Sequence, residues 1–230
     1  MKLVLFDIDG TILLTSGAGK RAVHRALAEV FGAPGRAEHR FDGKTDPQIV
    51  RELMRMEGHA DDHIDSRMSR LLDRYVDFLH EELAQPSTAV RVMPGVIELL
   101  DALEARADVV LGLVTGNLAA GAAAKLSAGG IDPARFRVGA YGSDHELRVE
   151  LPAVAQRRAR EELGVEATGT NVVVIGDTPA DVECGRAIGA LTIGVATGYY
   201  TADELRDFGA DEAFEDLADT TAVIRTIVGG

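Results

Sequence analysis

The stretch Leu3-Val4-Leu5-Phe6-Asp7-Ile8-Asp9-Gly10-Thr11 decides how this chain folds. Its run of four apolar residues is typical of a strand buried on both faces, as found in parallel sheets that helices cover. Asp7 and Asp9 follow directly, and Gly10 permits a sharp turn of the backbone. Because open α/β sheets bind ligands at the carboxyl ends of their strands, the two carboxylates are candidates for a functional site. The alternative is a plain turn in which the Asp side chains accept hydrogen bonds from nearby amides.

Two patterns of hydrophobic periodicity divide the rest of the chain. After Pro94-Gly95, helical segments alternate with strands, which are predicted over 109–114, 136–140, 171–175, 191–195 and 212–214. This alternation predicts an α/β fold, a doubly wound parallel sheet with a Rossmann-like core, to which the first strand belongs. Residues 15–90 show only helical spacing, with Asp46 as the N-cap of the second of three helices. We therefore expect a core of residues 1–14 and 91–230, interrupted by an all-helical unit of residues 15–90, called the helical unit below.

The composition limits the possible partners. The 230 residues include 24 Lys and Arg against 37 Asp and Glu, giving a net charge of -13 without any basic cluster. Because affinity for nucleic acid depends on clustered cations, no nucleic-acid partner is expected. The single cysteine, Cys184, precludes an internal disulfide and is predicted to be a packed thiol. No apolar run is long enough for a membrane span or a signal segment, so we expect a cytoplasmic protein without a membrane partner.

Polar residues also follow two later strands of the predicted sheet. Thr115-Gly116-Asn117 follows one strand, and Gly176-Asp177-Thr178-Pro179-Ala180-Asp181 follows another. Helix capping would explain Asn117, and it would explain Thr178 with Asp181 as a capping box. Capping explains neither Asp177 nor Thr115. Three polar clusters at one edge of a parallel sheet therefore indicate a site.

These residues resemble the haloacid dehalogenase-like hydrolase superfamily, and the resemblance covers essentially the whole chain. The first motif of the family matches residues 7–11, the second matches Thr115, and the fourth matches residues 176–181. The helical unit resembles the mobile cap that one subclass inserts directly after the first motif. Segments 43–46 and 196–199 are similar to phosphoglycolate-phosphatase-like members of the family.

The resemblance implies a mechanism and a set of residues. Asp7 would be the nucleophile that forms an aspartyl-phosphate, and Asp9 would be the general acid and base. A dianionic phosphate beside several carboxylates requires a cation, and Mg²⁺ prefers oxygen ligands. The implied magnesium ligands are Asp7, the backbone carbonyl of Asp9, and Asp177, with Asp181 orienting metal-bound water. The residues expected to contact the phosphoryl group and its loop are Gly10, Thr11, Thr115, Gly116 and Asn117.

The third motif of the family departs from the usual pattern here. Most members place a Lys shortly before the helix that leads to the fourth motif, and the four lysines of this chain are absent from that region. Lys125 lies inside the helix after Thr115, which is the wrong place for that motif. Arg148 is the nearest cation and is predicted to fill the role, because a guanidinium pairs with phosphate bidentately. Arg157 and Arg158 are the fallback, although arginines in the middle of a helix are usually solvated.

The sequence thus predicts a magnesium-dependent phosphatase that hydrolyses a small phosphomonoester resembling phosphoglycolate. Arg40 and Lys44 lie in the loop between the first two helices of the helical unit and are predicted to meet a second anionic group on the substrate. A haloacid dehalogenase would need neither an acid at Asp9 nor a magnesium site. A sugar phosphomutase would share the same core residues. A non-catalytic phosphate-binding or regulatory module would be expected to have lost at least one of the motif residues, and none is missing.

Overall fold

The computed structural model describes residues 1–229. Six parallel strands form the main sheet in the order β5-β4-β1-β6-β7-β8, and β2 and β3 form a separate antiparallel pair. The strands are β1 (Lys2–Phe6), β2 (Leu13–Leu14), β3 (Arg91–Val92), β4 (Val109–Thr115), β5 (Val138–Tyr141), β6 (Val172–Gly176), β7 (Leu191–Val195) and β8 (Glu212–Phe214). The helices are α1 (Ala18–Phe31), α2 (Asp46–Met56), α3 (Asp61–Leu83), α4 (Val96–Glu104), α5 (Ala119–Ala128), α6 (Leu151–Leu163), α7 (Pro179–Ala187), α8 (Ala202–Asp207) and α9 (Thr220–Gly229).

Strand β1 lies at the centre of the sheet, between β4 and β6. Alternate side chains of β1 enter two different apolar clusters, with Val4 and Phe6 in one and Leu3 and Leu5 in the other. Burial on both faces explains why the strand is a continuous apolar run rather than an alternating pattern. The predicted α/β fold with a doubly wound parallel sheet is therefore confirmed.

Two predicted element boundaries were wrong. The strand expected near residues 136–140 begins at Val138, because a single 3-10 turn over Pro133–Arg135 precedes it and Phe136 ends that turn. The N-cap of α2 is Thr45 rather than Asp46, since the Thr45 hydroxyl accepts a hydrogen bond from the amide of Gln48. Asp46 is instead the first residue of the helix, and its carboxylate is free to bond elsewhere.

The helical unit contains α1, α2 and α3, whose apolar cluster includes Leu27, Leu53 and Leu71 and is joined by Leu118 of the core. The β2–β3 pair lies at the two points where the chain leaves and re-enters the core, and the sequence did not predict it. The boundaries at residues 14/15 and 90/91 remain a prediction. None of the helices within residues 1–229 combines the length and apolar character that a membrane span requires.

Candidate active site

Three buried carboxylates meet at the carboxyl edge of the two central strands. Asp7 follows β1, Asp177 follows the adjacent strand β6, and Asp181 lies in the first turn of α7. Each offers a carboxylate oxygen within 4.8 Å of the others. Parallel neighbours end at the same edge of a sheet, which is why residues 170 positions apart in sequence share one site.

The charges of the three carboxylates are only partly offset by their surroundings, because Arg148 is a single cation beside them. Burial raises the pKa of Asp7 to about 6, and the charges of Asp181 and Asp9 act in the same direction against Arg148. Burial also raises the pKa of Asp177 well above its usual range, with Asp181 and Asp7 adding to the shift. Asp7 Oδ1 is buried and accepts no well-directed hydrogen bond. A crowded set of hard oxygen donors with an unsatisfied atom fits a divalent cation.

Arg148 is the cation closest to this cluster. Its Nη2 lies 3.0 Å from Asp7 Oδ1 and 2.5 Å from Asp181 Oδ1, and the side chain is buried. Although burial opposes it, the charges of Asp181 and Asp7 hold the pKa of Arg148 above its usual value. Cys184 donates its thiol hydrogen to the Arg148 carbonyl at 3.3 Å, and burial raises the pKa of Cys184 to about 12. This thiol is therefore packed and unreactive at neutral pH.

The two fallback arginines do not reach the cluster. Arg157 is exposed on α6. Arg158 binds the Asp144 carboxylate at 2.6 and 2.7 Å and the Gly139 carbonyl at 2.7 Å, so it stabilises the end of β5. Of the three candidates, Arg148 alone lies beside Asp7.

Two glycines allow the backbone to approach this site closely. Gly10 has a φ of 91°, and a Cβ built on it would lie 2.2 Å from Asp177 Oδ2. Thr11, the next residue, donates its hydroxyl hydrogen to Asp177 Oδ1 at 3.1 Å. A Cβ on Gly116 would lie 2.0 Å from the carbonyl oxygen of Lys44, so only glycine permits this contact between the core and the helical unit.

Asp9 belongs to a second cluster, beside the carboxylate triad. Its Oδ2 accepts hydrogen bonds from Asn117 Nδ2 at 2.8 Å and from Lys125 Nζ at 2.6 Å. The buried hydroxyl of Thr115 accepts from the same Asn117 amide group at 2.8 Å. Asn117 is thus not the N-cap of α5, since Leu118 holds that position without a side-chain cap. The amide of Asn117 instead joins the first two motifs.

The sequence considered Lys125 only for the third motif, and the structure brings this lysine to Asp9 instead. Lys125 is the seventh residue of α5, and side chains in a helix slant toward its N-terminus, which here points at the site. Its long stem brings Nζ to Asp9 Oδ2 and to Asn117 Oδ1, each at 2.6 Å. The sequence feature that could have indicated this contact is the position of Lys125 on α5, from which its side chain can reach the polar loop before the same helix.

A cavity of about 560 Å³ lies between the helical unit and these two clusters. Two reciprocal hydrogen bonds join the parts at its edge: the Asp46 amide donates to the Gly116 carbonyl at 2.8 Å, and the Leu118 amide donates to Asp46 Oδ2 at 2.8 Å. Arg51 of α2 also pairs with Glu146 of the core, at 2.6 Å. The helical unit is therefore docked on the core, with an open cavity between them.

The two cations predicted to meet the substrate line this cavity but have other partners. Lys44 Nζ lies 2.5 Å from Glu52 Oε2 and 3.2 Å from His39 Nε2. Arg40 donates to Asp42 at 2.9 Å, lies over the ring of Tyr199, and has a side chain that is 61% exposed. Both the guanidinium group of Arg40 and the ammonium group of Lys44 therefore already have a carboxylate beside them.

Comparison with known proteins agrees with this arrangement. Residues 4–186 match the haloacid dehalogenase-like hydrolase family, and the chain belongs to that family. It is 32% identical to a phosphoglycolate phosphatase of Rhodospirillum rubrum, covering 94% of this chain and 88% of the relative. It is 31% identical to an N-acetylmuramic acid 6-phosphate phosphatase of Pseudomonas aeruginosa, over 92% of this chain and 89% of that protein.

Solved structures share the fold at lower sequence identity. A hydrolase from Pseudomonas syringae superimposes with a TM-score of 0.71 at 22% identity, covering 97% of this chain and 98% of the other. CbbY from Rhodobacter sphaeroides, solved in complex with phosphate, gives a TM-score of 0.67 at 17% identity, covering 95% and 96% of the two chains. The protein is therefore a phosphatase of this hydrolase family.

Proposed function

We propose that this protein is a magnesium-dependent phosphatase that hydrolyses a small phosphomonoester through an aspartyl-phosphate on Asp7. One observation carries the proposal: Asp7, Asp177 and Arg148 form the floor of the cavity beside the polar loop of Thr115, and the buried carboxylate of Asp181 lies next to them. Such a floor suits a phosphoryl group only when cations offset the carboxylates.

Mg²⁺ fits the donor set described above. Asp7, the backbone carbonyl of Asp9, and Asp177 would hold the ion, and Asp181 would orient its water. Bound there, the ion would neutralise phosphoryl charge that the carboxylates repel. Asp181 is already fixed for this role, since its Oδ2 accepts from the Thr178 amide at 3.0 Å and from the Thr178 hydroxyl at 2.7 Å.

The chain's own residues would divide the reaction into two steps. In the first, a carboxylate oxygen of Asp7 attacks phosphorus, the bond from phosphorus to the ester oxygen breaks, and Asp9 gives that oxygen a proton. In the second, Asp9 takes a proton from the attacking water, and the bond from phosphorus to Asp7 breaks. Thr115, Arg148 and the amides near Gly116 would bind the phosphoryl oxygens in both steps. Phosphate and an alcohol are the products, and the enzyme returns to its starting state.

The substrate we propose is a small phosphomonoester with a carboxylate, resembling phosphoglycolate. Two relatives at 32% and 25% identity are phosphoglycolate phosphatases, and N-acetylmuramic acid 6-phosphate, the substrate named for a third, also has a carboxyl group. A substrate carboxylate could compete with Glu52 for Lys44, which lies on the cavity wall. The helical unit would act as the cap that closes over the leaving group.

The test is an assay of the purified protein against a panel of phosphomonoesters, with and without Mg²⁺, reading free phosphate. We expect magnesium-dependent release, fastest on a carboxylated substrate. Sugar monophosphates in the panel are also analysed for positional isomers. Isomerisation without release of phosphate would favour a phosphomutase instead.

A further inference from the structure

Lys125 has no role in the mechanism given so far, although it is one of the most buried charges in the molecule. Only 4% of the residue is exposed. The helical unit covers it, since a Cβ built on Gly19 of α1 would lie 3.3 Å from Nζ and 3.8 Å from the Tyr75 hydroxyl. Burying an ammonium group is costly unless it is paired and hydrogen-bonded. Lys125 meets that condition through its hydrogen bonds to Asp9 and Asn117.

The two oxygens of Asp9 have different surroundings. Oδ2 accepts from Lys125 Nζ at 2.6 Å and from Asn117 Nδ2 at 2.8 Å. Oδ1 accepts no hydrogen bond within the part of the chain that the structure describes. The Asp9 side chain is 41% exposed and lines the cavity. Two donors on one oxygen fix the rotation of the carboxyl group and leave the other oxygen for a ligand.

We propose that Lys125 is the positioning residue for Asp9, holding Oδ2 so that Oδ1 delivers the proton to the departing oxygen of the substrate. This inference rests on the proposed function, because it assigns an orientation to the acid of that mechanism. The proton leaves Asp9 Oδ1 as the bond from phosphorus to the ester oxygen breaks, and the phosphoryl group remains on Asp7. Lys125 is the charged donor to this oxygen and Asn117 the neutral one, and hydrogen bonds from charged donors are the stronger.

Leaving groups of different acidity distinguish this role from a merely structural one. An alkyl alkoxide needs a proton to depart, whereas p-nitrophenolate departs without one. The value of kcat/KM reports only the steps up to departure of the alcohol, so the second step does not confuse the comparison. Loss of an oriented acid should therefore affect alkyl phosphates selectively, and a damaged fold should affect both substrates alike.

The experiment measures kcat/KM for Lys125→Met with p-nitrophenyl phosphate and with the alkyl phosphomonoester that the wild-type enzyme hydrolyses fastest. We expect a loss of about 100-fold on the alkyl phosphate and of less than about threefold on p-nitrophenyl phosphate. Lys20→Met is the matched control, because Lys20 lines the same cavity but donates to the His39 carbonyl. It should lower both values by the same factor. Circular dichroism confirms the fold, and Lys125→Gln replaces Lys125→Met if the latter does not fold.

The possible failures are distinguishable. Equal losses on the two substrates in a folded Lys125 variant, with an active wild type, would overturn the role of Lys125 and leave the proposed function intact. A wild-type protein without magnesium-dependent turnover on either substrate would overturn the proposed function, and the role of Lys125 with it.

Discussion

The two ends of the cavity differ in how their charges are arranged. At the phosphoryl end (Asp7, Arg148, Asp177 and Asp181), the charges are buried and carboxylates outnumber the cation. At the leaving-group end (His39, Arg40, Lys44 and Glu52), the charged side chains are between 25% and 61% exposed, and the two cations, Arg40 and Lys44, each have an acidic partner. Burial of each charge at the phosphoryl end lowers the stability of the fold. We therefore infer that these residues serve catalysis rather than stability. Pairs at the leaving-group end can exchange partners at low cost, which suits substrate choice.

The comparison predicts its largest effect at Asp7. Asp7→Asn preserves the volume and removes the nucleophile, so turnover should fall by a factor of about 1,000 or more while the fold persists. Phosphate release and circular dichroism measure the two quantities. Retention of more than a small fraction of turnover would contradict the covalent mechanism.

Removal of the metal should have the next largest effect, because the carboxylates at the phosphoryl end repel one another without it. We expect excess EDTA to reduce activity to background. Added Mg²⁺ should restore activity and raise the melting temperature of the enzyme, since the ion binds only the folded state. A melting temperature that does not respond to Mg²⁺ would contradict binding of the ion to the folded enzyme.

Arg148→Ala should lower turnover by roughly 100-fold, since it removes the cation that lies beside Asp7 and Asp181. Arg157→Ala on the same side of the core is the matched control, because its side chain is exposed. Arg158 is unsuitable as a control, since it holds Asp144 and the end of β5. A larger loss in the Arg157 variant would show that another residue fills the third motif.

A smaller and selective effect is expected at the leaving-group end. Lys44→Ala should raise KM about fivefold for a carboxylated substrate and leave p-nitrophenyl phosphate nearly unchanged, because a single partly exposed ion pair is worth about 1 kcal/mol. Glu52→Gln is the opposing variant, as it releases Lys44 from its carboxylate partner and should lower KM for the same substrate. Equal changes on both substrates would show that Lys44 does not select the leaving group.

The smallest effect concerns the free energy of unfolding, and it is expected at Asp46, where the helical unit contacts the core. Burial raises the pKa of Asp46 to about 6 from 3.8, with the charge of Lys125 opposing the shift. The native state thus favours the protonated form of Asp46. Its contribution to the free energy of unfolding is therefore greatest below pH 3.8 and is lost as the pH rises through 6. Relative to wild type, Asp46→Asn should gain up to about 3 kcal/mol between pH 4 and pH 7.

Denaturant unfolding at several pH values measures this difference for Asp46→Asn. Asp203→Asn is the control, because the Asp203 side chain is 93% exposed. A constant difference in unfolding free energy across this pH range would show that Asp46 is not desolvated in the native protein.

The sequence predicted the phosphoryl end better than the leaving-group end, for a physical reason. Asp7 and Asp177 come directly after strands, and the geometry of a parallel sheet alone brings such residues together. Lys125 was missed because its place depends on the reach of a side chain along a helix, which strand ends do not reveal. The partner of Lys44 was also missed, because Glu52 meets it only after α2 has packed.

The contact at Gly116 separates two properties of position 44. The carbonyl oxygen of Lys44 rests against the backbone of Gly116, while its ammonium group lies on the cavity wall. Every residue type has the same carbonyl, so the docking contact is indifferent to the side chain at this position. The side chain at position 44 can therefore vary, in evolution or in a directed library, while the contact between the helical unit and the core is kept. This makes position 44 a suitable place to change the enzyme's preference among phosphate esters.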